Sequence, residues 1–329
     1  MQPTPQGLLC APAACFIDPR RPVARAVVTH AHADHARPGC GSYLATPETA
    51  RLLRLRLGAA IAVQELPYGE ILDLGGVRLS LHPSGHIRGA AQVRLEHRGE
   101  VWVVTGDVKT APDPTCLPYE PVRGHGLVLE STFGLPVFRW PEPAAVVAEL
   151  LDWWRGNAAE GRTSLLFAYA LGKAQRILAA LPAGAGPIFL HPALEAPTAA
   201  YRAEGVRLAP ARRLAAAGAR GDLASALVLA PPSAAAAPGP GRSPAARAFA
   251  SGWMQLRGMR RRRALDRGFV LSDHADWPGL LAVVRQSGAE RVLLVHGSAP
   301  ELARFLQELG LRAEAAPQEA AGEEDEVWP

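Results

Sequence analysis

Cysteine, long apolar runs and basic leader segments are scarce or missing in this chain of 329 residues. Four cysteines without any Cys-x-x-Cys pair argue against a disulfide framework and against a zinc ribbon. No apolar stretch approaches the roughly 18 residues that a transmembrane helix needs. The first five residues lack a basic segment followed by an apolar one, so we expect a cytoplasmic protein without a secretory signal or a membrane span. The cysteines are Cys10, Cys15, Cys40 and Cys116, of which the first two are expected to be buried as small apolar side chains.

Lysine is also rare, because only Lys109 and Lys173 occur among 35 basic residues. The other basic residues are arginines, and the formal net charge of the chain is +4. Apolar residues make up 48% of the chain and charged residues 20%, as in an ordinary soluble globular protein. The mild positive charge is compatible with a nucleic-acid partner but does not establish one.

The hydrophobic pattern predicts alternating strands and helices, which indicates an α/β fold. Several short apolar runs end abruptly in polar residues that can carry chemistry. Strand ends are where the sites of such enzymes are assembled, because the sheet fixes the backbone and the loops supply side chains. These runs are residues 26–29 before His30, 101–105 before Asp107, 127–129 before Glu130, 268–271 before His274, and 292–295 before His296.

The middle of the chain is predicted to form a second α/β unit over residues 136–266, inserted into a first unit made of residues 1–135 and 267–315. A helix is expected at residues 141–157, with Trp153 and Trp154 in the core rather than on a base-stacking surface. Residues 231–245 are rich in Ala, Pro and Gly and are predicted to form a loop. Residues 316–329 are acidic and are expected to form a disordered tail.

The strongest chemical signal is the segment His30-Ala31-His32-Ala33-Asp34-His35. Imidazole and carboxylate are the usual ligands of zinc and similar divalent ions at hydrolytic sites. Two histidines separated by one residue can reach one ion, and the Asp-His pair that follows can serve a second ion. Ligands at this density have no packing rationale, so the segment predicts a metal centre.

One such segment cannot complete two metal shells, so further ligands are expected elsewhere. His86 lies between Gly85 and Gly89, which let the backbone bend and approach a metal closely. Asp107 follows an apolar strand and a glycine and suits a carboxylate that bridges two ions. His296 follows another apolar strand and completes the set.

These residues, in this order, resemble the ligand motifs of the metallo-β-lactamase superfamily. The resemblance implies a four-layer αββα sandwich with two divalent ions at one edge, expected to be Zn²⁺ with Mn²⁺ as the alternative. It also implies a division of the ligands between the ions. His30, His32 and His86 would hold one ion, Asp34, His35 and His296 the other, and Asp107 would bridge the two.

Further motifs resemble the β-CASP nucleases, a branch of that superfamily with an inserted α/β domain. They are Glu-Ser-Thr-Phe-Gly at residues 130–134, Leu-Gly-Lys-Ala-Gln at residues 171–175, and Ser-Asp-His-Ala-Asp at residues 272–276. Over nearly the whole chain the sequence resembles bacterial ligase-associated DNA exonucleases, which are themselves similar to mRNA 3′-end-processing factors. The resemblance implies a DNA exonuclease that acts in DNA repair beside a DNA ligase and a helicase.

In a nuclease of this kind, two ions about 3.5–4 Å apart lower the pKa of a bridging water, and the resulting hydroxide attacks phosphorus. His274 is the candidate acid for the departing sugar oxygen, and Glu130 is expected to orient its imidazole. Asp34 is counted with them as a catalytic residue. The alternative interpretation makes Glu130 and His274 a buried structural pair.

Backbone phosphates must also be held. Lys173 and Arg176 begin a predicted helix, where free N–H groups favour anions, and Ser251 with Gly252 offers a second phosphate site. A basic run is expected either to follow a nucleic-acid strand electrostatically or to be a solvated connector. It consists of Arg257, Arg260, Arg261, Arg262 and Arg263.

Three function classes stay open at this point. The first is a DNA exonuclease, and the second is an RNA-processing nuclease, because the metal site does not read the 2′-hydroxyl. The third is a non-nuclease, either a small-molecule metallohydrolase or an inert binding module. The inserted domain, Glu130 and His274 argue against a small-molecule enzyme, and the intact ligand set argues against an inert one.

Overall fold

The computed structural model describes residues 1–216, 223–236, 245–262 and 265–317. The acidic tail that the sequence predicts therefore lies outside the described residues from residue 318 onward. The chain divides into two compact units. Among the described residues, unit 1 comprises residues 1–139 and 274–317, and unit 2 lies within Trp140–Asp273. Of the helices in the described ranges, none has the length and apolar character that a membrane crossing requires.

Strands and helices alternate along most of the described chain. The strands are β1 (Gln2–Thr4), β2 (Gly7–Cys10), β3 (Cys15–Ile17), β4 (Arg25–Val27), β5 (Ser42–Ala45), β6 (Val63–Glu65), β7 (Ile71–Leu74), β8 (Val77–Pro83), β9 (Ala91–His97), β10 (Glu100–Val104), β11 (Gly126–Glu130), β12 (Thr163–Phe167), β13 (Ile188–Leu190), β14 (Arg212–Arg213), β15 (Leu227–Ala230), β16 (Ala245–Ala250), β17 (Arg267–Phe269), β18 (Arg291–Val295) and β19 (Arg312–Ala315). The α-helices are α1 (Pro47–Leu57), α2 (Pro143–Ala159), α3 (Lys173–Ala180), α4 (Pro192–Ala203), α5 (Arg257–Arg262), α6 (Trp277–Ser287) and α7 (Ala299–Glu308).

The strands of unit 1 form two sheets. One contains β1 to β6 in chain order, and the other has the order β19-β18-β11-β10-β9-β8-β7. Strands β10, β11, β18 and β19 are parallel neighbours, so their carboxyl ends meet at one edge of the sheet. In unit 2, a parallel sheet has the order β14-β13-β15-β12-β16-β17.

The two sheets of unit 1 contribute to the same apolar core. Ile17 and Val27 of the first sheet belong to one buried cluster with Leu79 of the second. Burying a side chain of this kind contributes about 1.5–3 kcal/mol. Cys10 and Cys15 lie in this cluster, so their interpretation as small apolar side chains is confirmed.

The helices α6 and α7 cover the other face of the second sheet. Leu280 of α6 and Leu302 of α7 lie in one buried cluster with Leu127 and Leu294 of the strands. Helix α6 begins where the Asp276 side chain accepts the N–H of Gly279, which satisfies a donor that the first turn leaves open. The chain just before this helix carries His274, so the helix cap lies close to a candidate site residue.

Unit 2 has its own apolar core. Every residue of β12 and of β15 is buried, as expected for parallel strands that are covered on both faces. Phe167 of β12 and Phe249 of β16 lie together in one buried apolar cluster. Trp154 is 2% exposed and its indole N–H donates to the Ser225 carbonyl, which confirms that this tryptophan packs in the core.

The local predictions for unit 2 are wrong at some element boundaries. Helix α2 begins at Pro143 and ends at Ala159, two residues later at each end than expected. Residues 231–245 do not form only a loop, because 232–236 form a short 3-10 helix and β16 begins at Ala245; residues 237–244 lie outside the described ranges. Strand β16 forms because it pairs with β12, a long-range contact that local composition does not reveal.

Candidate metal centre

Strand ends and one glycine place the His30 segment against Asp107. Strand β4 ends at Val27, and β10 ends at Val104. Gly106 has a φ of +54°, and a Cβ atom at this position would lie 2.5 Å from Thr29 Oγ1. The glycine therefore allows the Asp107 loop to approach the start of the histidine segment directly.

The loop that carries His86 is anchored to the start of α1. The hydroxyl groups of Thr46 and Thr49 both donate to the Gly89 carbonyl, at 2.7 and 2.8 Å. Gly89 has a φ of +80°, and a Cβ atom there would lie 2.6 Å from the Thr49 nitrogen. This close packing fixes the backbone on which His86 is held.

Three imidazoles and one carboxylate converge in unit 1. His32 Nδ1 lies 3.0 Å from His30 Nε2 and 3.2 Å from His86 Nε2. Asp107 Oδ2 lies 3.4 Å from Nε2 of both His30 and His86. The ligand atoms of these four residues all lie within 4.8 Å of one another. A divalent cation between them would satisfy the converging lone pairs, so this set fits a metal ligand shell.

A second set shares Asp107. His35 Nε2 lies 3.3 Å from Asp107 Oδ1 and 3.4 Å from Asp34 Oδ2, and it is buried without a hydrogen bond to the described residues. The His296 ring lies 5.4 Å from the His35 ring. A buried imidazole nitrogen that faces two carboxylates without a hydrogen bond fits a metal ligand. One oxygen of Asp107 faces each set, as a bridging carboxylate requires.

The electrostatics of the cluster keep His30 and Asp107 in forms that bind a metal, whereas His35 holds a proton. Burial and the neighbouring His35 imidazole lower the pKa of His30 well below its usual value, so this imidazole is neutral. Burial opposes ionisation of Asp107, but the imidazoles of His35 and His274 outweigh it and hold the pKa of Asp107 well below its usual range. Neighbouring carboxylates, led by that of Asp107, outweigh burial and raise the pKa of His35. Metal binding would therefore displace a proton from His35.

Asp18 is a functional candidate that the sequence motifs did not reveal. Its Oδ1 accepts the N–H of Thr29 at 2.8 Å, and its Oδ2 lies 2.6 Å from Thr29 Oγ1 and 2.7 Å from His35 Nδ1. Because the Thr29 hydroxyl donates to Asp18, it accepts from His30 Nδ1 at 3.0 Å. Both imidazoles therefore carry a proton on Nδ1 and present Nε2 to the centre. The one sequence signal for Asp18 is its position directly after the short apolar strand β3, where functional side chains are often placed.

Glu130 and His274 form a pair beside the two sets. Glu130 is 1% exposed, and its Oε1 accepts the N–H of Val108 at 2.8 Å. Its two carboxylate oxygens lie 2.9 and 3.0 Å from His274 Nδ1, and His274 Nε2 lies 4.0 Å from Asp107 Oδ2. Asp107, Glu130 and His274 also have mutual distances that would suit a metal. The geometry therefore allows His274 to act as an oriented acid or as a ligand.

Lys173 and Arg176 lie in a buried ionic cluster of unit 2. Lys173 Nζ lies 2.8 Å from Asp273 Oδ2, and Arg176 lies 3.4 Å from Asp273 Oδ1 and donates to the Ser272 carbonyl. The three charged residues are 3 to 7% exposed. The phosphate site predicted at the start of α3 thus coincides with cations that already contact a carboxylate.

The other predicted phosphate contacts are also in unit 2. Ser251 is 2% exposed, and its hydroxyl accepts the N–H of Trp253 at the start of a short 3-10 helix that begins with Gly252. Arg257 and Arg261 line a cavity of about 500 Å³. Of the remaining arginines in the basic run, Arg263 and the side chains of Arg260 and Arg262 lie outside the described part of the chain.

Comparison with known proteins gives relatives that differ in length from this chain. No protein-family model matches the chain. A protein from Opitutus terrae named a probable DNA ligase is 34% identical over 302 residues, which cover 91% of this chain and 29% of that protein. Ribonuclease TTHA0252 from Thermus thermophilus is 28% identical over 49% of this chain and 43% of its own length. An RNase J-like protein from Methanocaldococcus jannaschii is 26% identical over 46% of this chain and 42% of its own length.

A solved structure supports the fold alone. The crystal structure of a protein of unknown function from Enterococcus faecalis matches with a TM-score of 0.54 at 13% identity, covering 91% of this chain and 80% of that chain. The chain spans less than half the length of the three curated relatives named above.

Histidines and carboxylates that converge at strand ends of an α/β protein define a candidate metallohydrolase. The similarity to these relatives confirms the resemblance to the metallo-β-lactamase superfamily and to its β-CASP branch.

Proposed function

We propose that the chain hydrolyses phosphodiester bonds and that its substrate is DNA, degraded from an end. The observation that carries the proposal is a pair of ligand sets that share Asp107, with the His274–Glu130 pair beside them. A ligand set alone would suit many small-molecule hydrolases. An acid beside it suits a substrate whose leaving group is a sugar oxygen that needs a proton.

The ligand sets divide as the resemblance implies. His30, His32 and His86 would hold one divalent ion, Asp34, His35 and His296 would hold the other, and Asp107 would contact both. When bound, the ions supply Lewis-acid activation of water and neutralise charge on the phosphoryl oxygens. The oxygen and nitrogen donors suit Zn²⁺, and Mn²⁺ is the alternative.

The proton donor of the reaction is His274. Its Nδ1 faces the Glu130 carboxylate, whose negative charge favours the protonated imidazole. Its Nε2 points toward Asp107 and is the atom that protonates the departing sugar oxygen. Asp34 has a side chain 51% exposed, and it contributes to catalysis as the ligand that solvent and substrate reach most easily.

The nucleic-acid strand is held by the arginine run of unit 2. Lys173, Arg176 and Ser251 are engaged inside unit 2, which leaves Arg257 and Arg261 at the cavity as the better phosphate contacts. Guanidinium groups bind phosphate oxygens with paired N–H donors. Arg260, Arg262 and Arg263 extend the same run in the sequence.

DNA is favoured over RNA by the extent of the similarity to each kind of relative. The relative named a probable DNA ligase matches 91% of this chain, whereas the named ribonucleases match 46 to 49%. A DNA ligase, together with a helicase of the same repair pathway, is therefore the proposed partner. An RNA-processing nuclease is the second candidate, because relatives with ribonuclease names match the chain.

The architecture proposed for this function is an αββα sandwich with an inserted β-CASP domain. Two sheets with a common core and helices on the outer face of one of them support the sandwich. Unit 2, an α/β unit between two parts of unit 1, supports the insertion. The proposed insertion, residues 136–266, begins four residues before unit 2 and ends seven residues before its end at Asp273.

End-labelled single-stranded DNA and an RNA of the same sequence, each with Zn²⁺ or Mn²⁺, would test this function. A ladder of products from one end of the DNA is expected. Internal cuts in the RNA would favour the second candidate. If neither polymer is cleaved with either ion, the proposed function is wrong.

The variant His274→Ala tests the role of the acid. We expect cleavage to slow by about 10²- to 10⁴-fold, because a general acid contributes that much, while two ions stay bound. His82→Ala is a matched control, since this histidine pairs with Glu120 away from the ligand sets. Loss of an ion from His274→Ala would instead make His274 a metal ligand.

A further inference from the structure

The turn after β18 holds His296 in a backbone conformation that L side chains rarely adopt. The φ angle is +60° at His296 and +49° at Gly297. A residue with a Cβ atom reaches this region only at a cost in free energy, so the surrounding structure has to hold it there. The direction of the His296 imidazole depends on that backbone conformation.

Ser131, the residue directly after β11, contacts this turn through each of its polar groups. Its N–H donates to the Val295 carbonyl at 2.9 Å, and its carbonyl accepts the N–H of Ser298 at 2.8 Å. Its hydroxyl lies 2.6 Å from the His296 carbonyl and 3.0 Å from the Val295 carbonyl. Because the Ser131 amide already serves Val295, the single hydroxyl proton goes to the nearer acceptor, the carbonyl of His296.

The turn packs on Ser131 without spare room. A Cβ atom at Gly297 would lie 2.2 Å from the Ser131 carbonyl oxygen, so the two backbones are in direct contact. Ser131 itself is fully buried. Without the hydroxyl, the His296 carbonyl would lose this hydrogen bond, and the buried Ser131 side offers no open path for water to replace it.

We propose that Ser131 is a positioning residue that fixes His296 as a ligand of the second ion, an inference that rests on the proposed metal sites. Any residue except proline would supply the N–H and carbonyl contacts, whereas the bond to His296 comes from the hydroxyl side chain. The preceding residue, Glu130, orients His274. Two consecutive side chains at the end of β11 thus orient two different groups of the centre.

The experiment compares Ser131→Ala with Ser298→Ala. Ser298 lies in the same turn, and its hydroxyl makes no capping hydrogen bond to the helix that follows. Zinc binding to the metal-free proteins is measured by competition with a chelator, and the melting temperature of each metal-free protein is recorded. In Ser131→Ala one ion should bind as in the wild-type protein and the other about 10- to 100-fold more weakly. Ser298→Ala should bind both ions as the wild-type protein does.

A second pair of variants keeps the test valid if Ser131→Ala folds poorly. Ser131→Thr and Ser131→Val add the same bulk to the buried site and differ only in the hydroxyl, so Ser131→Thr should bind the second ion more tightly than Ser131→Val does. A double variant with His296→Ala should bind metal no more weakly than His296→Ala alone, because the two residues act through one ligand.

The outcomes separate this inference from the proposed function. A wild-type protein with two ions and a Ser131→Ala variant with unchanged affinities would overturn the inference alone. Equal loss of both ions, with a lower melting temperature of the metal-free variant, would make Ser131 a general folding residue and would also overturn it. A wild-type protein that binds no ion would overturn the proposed function and this inference together.

Discussion

Asp18 contacts both halves of the candidate centre through hydrogen bonds to His35 and, by way of Thr29, to His30. In the variant Asp18→Asn, an amide N–H₂ group replaces one of the two oxygens that accept hydrogen bonds from Thr29 and His35. We expect both ions to bind about 10- to 100-fold more weakly, which is the usual effect of removing a partner of a metal ligand. Zinc affinity and stoichiometry measure this effect.

Asp152→Asn is the control for this variant, because Asp152 is an exposed residue of unit 2 with a side chain 76% exposed. It should leave zinc binding unchanged. If Asp18→Asn binds two ions with wild-type affinity, the hydrogen bonds of Asp18 do not orient the ligands.

The sequence predicts ligands better than it predicts the residues that hold them. Four ligand candidates lie within six residues, so their spacing alone indicates a metal. Asp18 escapes notice because its contacts depend on the parallel pairing of β3 with β4, in which Ile17 lies opposite Val27. The sequence predicts Lys173 as a phosphate contact, and it does not reveal that Asp273, a hundred residues further along the chain, pairs with this lysine.

Among the elements, the loop after β10 depends on a single glycine. In Gly106→Ala the added methyl group meets both an unfavourable φ and the Thr29 side chain, so unit 1 should lose about 2–5 kcal/mol. Gly99→Ala has a similar positive φ, +82°, but no atom within 4 Å, and should cost about 1–2 kcal/mol. Urea unfolding followed by hydrogen exchange of unit 1 peptides measures both.

The comparison of the two glycine variants separates strain from steric contact. If Gly106→Ala costs no more than Gly99→Ala, the Thr29 segment moves aside, and the contact does not fix Asp107.

Helix α5 carries the arginines proposed to contact the nucleic-acid strand. The double variant Arg257→Glu/Arg261→Glu should flatten the dependence of log Kd on log salt concentration by about 1.4 for single-stranded DNA, because each lost phosphate contact removes about 0.7. DNA binding is measured in the presence of a chelator, which removes the divalent ions and so prevents cleavage.

The matched control is Arg155→Glu/Arg162→Glu, which makes the same charge change at arginines of unit 2 that pair with Asp152 and Glu160. It should leave the slope unchanged. Equal slopes for the two double variants would remove α5 from the binding surface.

At the scale of the whole molecule, each unit has its own apolar core. Because the candidate ligands lie in unit 1, removal of the metal should destabilise unit 1 and leave the stability of unit 2 unchanged. At an ion concentration 100 times Kd, each bound ion adds about 2.7 kcal/mol to the stability of the unit that binds it. A chelator should therefore increase hydrogen exchange in β4, β10 and β18, whereas β12 and β15 should exchange as before. A similar increase in all five strands would contradict a metal site confined to unit 1.

The fold class follows from the alternation of apolar runs, and the strand ends before His30, Asp107, Glu130 and His296 lie within three residues of their predicted positions. Pairing order could not be predicted, because β11 joins β18 across more than 160 residues of chain. The predicted strand at residues 268–271 is shorter in the structure, where β17 ends at Phe269. Sheet contacts between distant segments decide these boundaries.

The two lysines of the chain are both buried, at 2% exposure for Lys109 and 3% for Lys173. Each contacts an aspartate, one in unit 1 and the other in unit 2. The folded chain therefore offers no exposed lysine amine to acylating reagents, although its surface is rich in arginine. Slow acylation of either lysine would report the opening of the unit in which it lies, which makes each one a built-in chemical probe of local unfolding.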